Sequence, residues 1–251
     1  MLAHEVLYWL LVVIGSLLVG RLISVVCPLL VRHMEREWQF EMQVDQEGGL
    51  LAQAPSLFST LWLNRECVRH LVPLRSQRLT HLPYELLTLL ATSVVVWHMG
   101  FNPPAMAAVL ITWGLIALIH IDWNHFLLPD LLVYPLLWSG LLWRAYGHGE
   151  VVDGVLGAFF GYTVLWCIVG GYSSLRGLKM MGNGDFKLTA ALGAWLGWQA
   201  LPVMCLVACA AGLMITLLLA KTPRSSLSKP VPFGPALALS GWFFLITNFP
   251  V

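Results

Sequence analysis

The stretch AMAAVLITWGLIALIHIDWNHFLLPD, residues 105–130, decides the fold. Its first seventeen residues are largely apolar and carry no charge until Asp122. With Pro104 they make a run long enough for a membrane-spanning helix, which needs about 20 apolar residues to cross the hydrocarbon core. The polar string that follows then ends at Pro129–Asp130, the start of another apolar run. One span thus delivers a carboxylate to its inner end and returns at once into a second.

The rest of the chain has the same character. Of 251 residues, 58% are hydrophobic and only 11% charged, and mean hydropathy is +0.76. A soluble domain is nearer a quarter charged, so this composition excludes an ordinary cytosolic enzyme. Charged and Pro/Gly punctuation divides the sequence into apolar segments at 6–30, 84–99, 104–121, 131–146, 153–172, 187–199, 201–220 and 231–249. The expectation is an all-α, polytopic membrane protein of about eight transmembrane helices with one cytoplasmic loop region, 31–83. The sixth segment is short, so its helix crosses part of the bilayer or tilts. Pro28, late in the first segment, is expected to kink or end that helix. The flank MLAHE has no Lys or Arg and the following apolar run is long, so the first segment does not read as a cleavable signal peptide.

Eight spans place 31–83, 122–130, 173–186 and 221–230 on one side. That side, with Lys187 at its edge, holds 12 of the 14 basic residues. The exceptions are Arg21, inside the first span, and Arg144, near an opposite-side helix end. Cytoplasmic loops carry the excess of Lys and Arg, so the crowded side is expected to be cytoplasmic and both termini outside. A net charge of +1 gives no field that argues for nucleic acid. No CxxC pair occurs among the 5 cysteines, so neither a disulfide framework nor a four-Cys zinc site is legible.

Acids are scarce and costly in a membrane, which makes them informative. Of 13, six belong to the polar segment, and Glu5, Glu150 and Asp153 sit at outer helix ends. Glu85, Asp122, Asp130 and Asp185 remain, all near cytoplasmic ends of spans. Asp130, after Pro129, reads as a helix N-cap, whereas Asp122 needs a partner or a purpose. Asp185 ends the string MGNGD, in which Gly182 and Gly184 allow positive φ and close approach of another chain. Local structure alone offers a simpler account, an Asp capping a helix N-terminus after a Gly loop. His120 and His125 flank Asp122, but no further His or Cys stands at ligand spacing and no metal is expected. Two carboxylates in a partly dry site cannot both ionise easily, and one keeps a proton. Such a pair can activate water with one member and hydrogen-bond a scissile carbonyl with the other.

These residues resemble the type IV prepilin peptidases, bacterial inner-membrane aspartic proteases of the GxGD class. IDWNHFLLPD (121–130) is similar to the family's string around its first catalytic aspartate, and MGNGDFKL (181–188) to that around its second. MEREW (34–38), after GRLISVV (20–26), resembles the N-terminal signature, and YELLTLL (84–90) more loosely the opening of the second span. The resemblance implies a catalytic pair of Asp122 and Asp185, with Gly182, Gly184, Lys187 and Asp130 as supporting residues of the active-site loop. It implies cleavage of the leader from prepilins or type II secretion pseudopilins at the cytoplasmic face of the inner membrane. The division it implies is 1–83, a first span plus a methylation-associated cytoplasmic segment, and 84–251, a seven-helix peptidase domain. Many members then methylate the new N-terminus with S-adenosylmethionine.

The chain departs from the family in one half. The two CxxC pairs that many members carry in the segment matching 31–83 are reduced to Cys67, in CVRH with His70, so no zinc site is expected. The usual Asn of the first span is replaced by Ser24 and its Ser by Arg21, changes in the half associated with methyl transfer that leave that activity open and the peptidase reading supported. Two other classes compete. An ion-coupled transporter would place its acids near the midplane within internal repeats, neither of which is visible here. A secretion-system scaffold without catalysis would not need both aspartates.

Overall fold

The computed structural model describes residues 2–46, 78–176, 182–220 and 231–249. Among these the chain is entirely helical. Its helices are α1 (Leu2–Gln46), α2 (Arg78–Met99), α3 (Pro103–His125), α4 (Asp130–Ala145), α5 (Val151–Arg176), α6 (Asn183–Leu196), α7 (Leu201–Ala220) and α8 (Gly234–Thr247). Stretches of α1, α2, α3, α5 and α7 are long and apolar enough to cross a membrane, and α8 is a shorter apolar helix. The protein is an all-α polytopic membrane protein.

Two compact units divide the chain, Met1–Ser93 and Val94–Val251. In the first, α1 runs unbroken through Pro28 to Gln46. The expected end at Pro28 is therefore corrected, and residues 31–46 of the anticipated loop are helical. Pro28 removes one backbone donor, but HMEREWQFEMQ behind it has no further Pro or Gly and is rich in good helix formers. Within this unit α1 meets α2 at Gly20, where an added Cβ would stand 2.7 Å from the Glu85 Cα and 2.8 Å from the Tyr84 carbonyl. The Thr88 hydroxyl lies 2.9 Å from the Ser16 carbonyl across the same contact. Arg21 is half-buried, and the Ser24 hydroxyl donates to the Arg21 carbonyl at 2.7 Å.

In the second unit α6 is the central helix. Its residues from Leu188 to Trp195 are all buried, and α4, α5 and α8 pack around it. Fourteen residues span about 21 Å, less than the hydrocarbon thickness. A helix this short is tolerated because protein rather than lipid surrounds its ends. Gly193 of α6 meets Gly157 of α5 backbone to backbone. Trp195 donates its indole N–H to the Leu136 carbonyl of α4 at 2.8 Å. It fits there because Gly140 has no side chain, and a Cβ on that residue would fall 2.7 Å from the indole. On the other side α8 joins α3 through the Trp242 indole, which donates to the Thr112 hydroxyl at 3.0 Å.

Arg144, one of the two exceptions in the charge asymmetry, is buried. Its guanidinium donates to the carbonyls of Ala194 at 3.0 Å, Trp195 at 2.7 Å and Glu150 at 3.1 Å. The first two belong to the last turn of α6, whose carbonyls have no intrahelical donor. Arg144 is a cap for the central helix, a role that requires no position on the cytoplasmic side.

Candidate active site

Asp122 lies in the last turn of α3 and Asp185 in the first turn of α6, and both are buried, at 6% and 7% exposed. They are close enough that the charge of one acts on the other. The helix around Asp122 forms readily. Asn102 caps α3 by accepting from the Ala105 N–H at 2.7 Å, and Pro103 and Pro104 fill the first turn, where no donor is lost. α3 stops at Phe126, which takes the left-handed conformation at φ 56 while its N–H bonds the Asp122 carbonyl at 2.9 Å. That turn sends Leu127–Pro129 back across the site to α4.

The second aspartate is presented differently. Gly182 is the N-cap of α6 and accepts from the Asp185 N–H at 3.2 Å. Asp185 is three positions inside the helix, so it does not serve as the cap. Its carboxylate there complements the positive end of the α6 dipole. Neither Gly182, at φ −75, nor Gly184 takes positive φ. The conformational reading of this pair is corrected, whereas close approach holds at Gly184, where a Cβ would stand 2.7 Å from the Leu128 Cβ. The loop after the first aspartate thus rests on the turn before the second, and a single missing methyl permits it.

Asp130 is the first residue of α4, with Pro129 at the cap position and no side-chain capping bond. Its expected capping role is replaced by a forked ion pair, in which Lys187 Nζ donates to both carboxylate oxygens at 2.7 Å. Lys187 also lies 5.4 Å from the centre of the Tyr134 ring. The pair is partly exposed and ties the start of α4 to α6 two residues after Asp185. Glu85, the fourth acid of the group, belongs to the first unit.

No group of three or more His, Cys, Asp or Glu with metal-binding geometry occurs among the described residues. His120 is engaged with Asn124, whose amide nitrogen lies 3.1 Å from its Nδ1. Cys67 and His70 lie outside the described residues.

Two contributors escaped sequence reasoning. Leu128 had no chemical signature, although its place in the loop after Asp122 was a positional hint. Gly234, at the start of α8, comes so near Asp122 that a Cβ on it would fall 2.5 Å from Oδ2. Nothing in GPALALSG marks that glycine as part of a site.

Gly184 yields a direct expectation. Gly184→Ala must push Leu128 and the first turn of α6 apart by several tenths of an ångström. Misplacement on that scale near reacting groups costs about 10- to 100-fold in rate. A proteolysis assay on purified Gly184→Ala should show that loss with the thermal unfolding midpoint little changed. Parental activity would mean that the loop yields without moving the two aspartates.

The fold is that of a multi-pass helical membrane protein that buries two aspartates at helix ends, near enough for the charge of one to act on the other. Residues 109–217 match the type IV leader peptidase family model. The chain is 39% identical to the prepilin leader peptidase/N-methyltransferase of Aeromonas hydrophila, over 98% of this chain and 93% of that protein. The proteins of that name from Pseudomonas aeruginosa and Dickeya chrysanthemi are 35% and 36% identical, over 97% and 96% of this chain and 92% and 93% of theirs. No solved structure matches it. The chain belongs to the type IV leader peptidase family and is a membrane peptidase.

Proposed function

We propose that Asp122 and Asp185 are the catalytic pair of an aspartic endopeptidase. It removes the leader from prepilins or pseudopilins at the cytoplasmic face of the bacterial inner membrane. The observation that carries this reading is the burial of two carboxylates, one in the last turn of α3 and one in the first turn of α6, near enough for the charge of one to act on the other. Burial without a metal group or basic partner among the described residues is costly unless one carboxyl keeps a proton. The pair then holds a base and an acid together. The ionised member takes a proton from water as the oxygen attacks the scissile carbonyl. The protonated member donates a hydrogen bond to the carbonyl oxygen, and a proton passes to the leaving amine.

The cytoplasmic assignment rests on the basic residues. Twelve of 14 fall on the side that carries these helix ends. A pilin-type substrate is itself an apolar helix, so it reaches the pair laterally from the bilayer. Co-expression of the parent, Asp122→Asn and Asp185→Asn with a prepilin, followed by gel shift of the leader, tests the reading. Normal insertion with parental processing in either variant defeats it.

The relatives are named as N-methyltransferases as well, and we propose the same second activity for this chain, with S-adenosylmethionine as the methyl-donating substrate. Its half would comprise 1–83, where Arg21 and Ser24 depart from the family pattern. Mass spectrometry of the processed N-terminus should show one added methyl group, about 14 Da. An unmodified N-terminus in the presence of S-adenosylmethionine would confine the enzyme to proteolysis.

A further inference from the structure

The last helix carries no ionisable group, since residues 231–249 contain no acid, base, cysteine or tyrosine. Yet its first turn is applied directly to Asp122. A Cβ on Gly234 would stand 2.5 Å from Asp122 Oδ2 and 3.0 Å from its Cγ. That oxygen is buried, and it has no hydrogen bond of standard geometry among the described residues. The close approach of Gly234 brings its backbone N–H beside the same carboxyl. Phe233, at the cap position, gives no side-chain bond to the helix N-terminus, and Pro235 has no N–H. The Gly234 N–H is therefore left to Asp122.

Asp122 needs such a donor because of where its own helix places it. The last turn of α3 is the negative end of a helix dipole, which opposes a carboxylate, whereas the first turn of α8 is the positive end of another. Asp185 lies instead at the positive end of α6. We propose that the first turn of α8 is a working wall of the active site. Gly234 is its positioning residue, and its backbone N–H stabilises the carboxylate of Asp122. This rests on the reading of Asp122 and Asp185 as the dyad.

The other charged groups near Asp122 are few. From α6 the facing titratable group is Asp185, from α4 Asp130 is bonded to Lys187, and α3 itself brings His120 and His125. The test is the pH dependence of kcat for leader cleavage by the purified full chain, in the parent, Gly234→Ala and an amide-to-ester exchange at the Phe233–Gly234 linkage. The ester removes the N–H and adds no atom, so it stands even if the alanine variant fails to fold.

A dyad sharing one proton gives two limbs, and the ionisation of Asp122 governs one of them. Loss of a donor to a carboxylate makes ionisation harder. That limb should move to higher pH by about one unit while the other stays. The acid limb moves if Asp122 is the base, and the alkaline limb if it is the acid. Gly241→Ala is the control, crowding Leu192 at 2.6 Å from the same helix. It should lower the amount of active enzyme without moving either limb.

Both limbs unmoved in the ester variant would overturn the proposal, and so would an equal shift in Gly241→Ala. Parallel Asp122→Asn and Asp185→Asn reactions keep the two readings apart. If they abolish cleavage and the limbs stay, only the role of Gly234 falls. If they cleave normally, the dyad itself falls.

Discussion

Asp122→Asn and Asp185→Asn should each lower the rate of leader cleavage by about 10³-fold or more, and the double variant should be no slower than the worse single one. General acid–base catalysis by a positioned carboxyl contributes about 10²- to 10⁴-fold, and groups that act as one unit are not additive when removed. Asparagine has nearly the shape of aspartate but neither takes up nor releases a proton in this range. The dyad then lacks the base that activates water or the acid that polarises the carbonyl. Stability should move the other way. In the parent, one buried carboxylate lies near a second carboxyl, and Oδ2 of Asp122 is without a standard hydrogen bond. A neutral amide at either position leaves one carboxyl where two compete for a proton, so the remaining one is free to stay neutral in the buried site. Thermal unfolding in detergent should therefore show midpoints equal to or above the parent's. A variant that loses activity and also melts lower would indicate that the aspartate holds the fold instead of the substrate.

The sequence disclosed this pair because acids are so few. Asp122 stood at the end of a charge-free apolar run, and Asp185 followed a glycine string at the mouth of another, so each was conspicuous. The eight apolar segments likewise correspond to the eight described helices, since burial in lipid or protein requires contiguous apolar residues. Pro28 misled because a single proline removes one bond, and the charged residues that follow it suit a helix as well as a loop. Arg144 stood only as an exception to the charge asymmetry, because a buried guanidinium can cap carbonyls wherever the helix end lies. The packing roles of Leu128, a member of the quoted LLPD string, and of Gly234 were not legible. Their contribution is the space they occupy or leave, which becomes visible only when α3, α6 and α8 are placed together.

The same blindness covered the contact that holds α6 in place, and there a large effect is expected. On α5, Gly154, Gly157 and Gly161 line one face, the last two spelling a GAFFG string. Added Cβ atoms on Gly154 and Gly161 would fall 3.0 Å from the Ala194 carbonyl and 2.8 Å from the Thr189 carbonyl of α6. One on Gly157 would collide with the Gly193 backbone. Without a hydrophobic drive between helices in lipid, close backbone packing over small residues is a principal source of their association. Gly157→Leu puts a branched side chain where backbone already stands, and backbone cannot swing aside as a flexible side chain can. Overpacking of a well-filled core costs about 1–3 kcal/mol and more where nothing yields. Here α6 must move bodily, carrying Asp185 with it. Gly157→Leu should therefore lose at least about 3 kcal/mol of stability and most of its activity. Gly170→Leu, on the same helix with nothing within 4 Å of its Cβ position, should stay within about 0.5 kcal/mol of the parent. Thermal unfolding and leader-cleavage rates of the two variants, prepared side by side in one detergent, decide the matter. Equal behaviour of Gly157→Leu and Gly170→Leu would mean that α5 does not hold the aspartate-bearing helix in position.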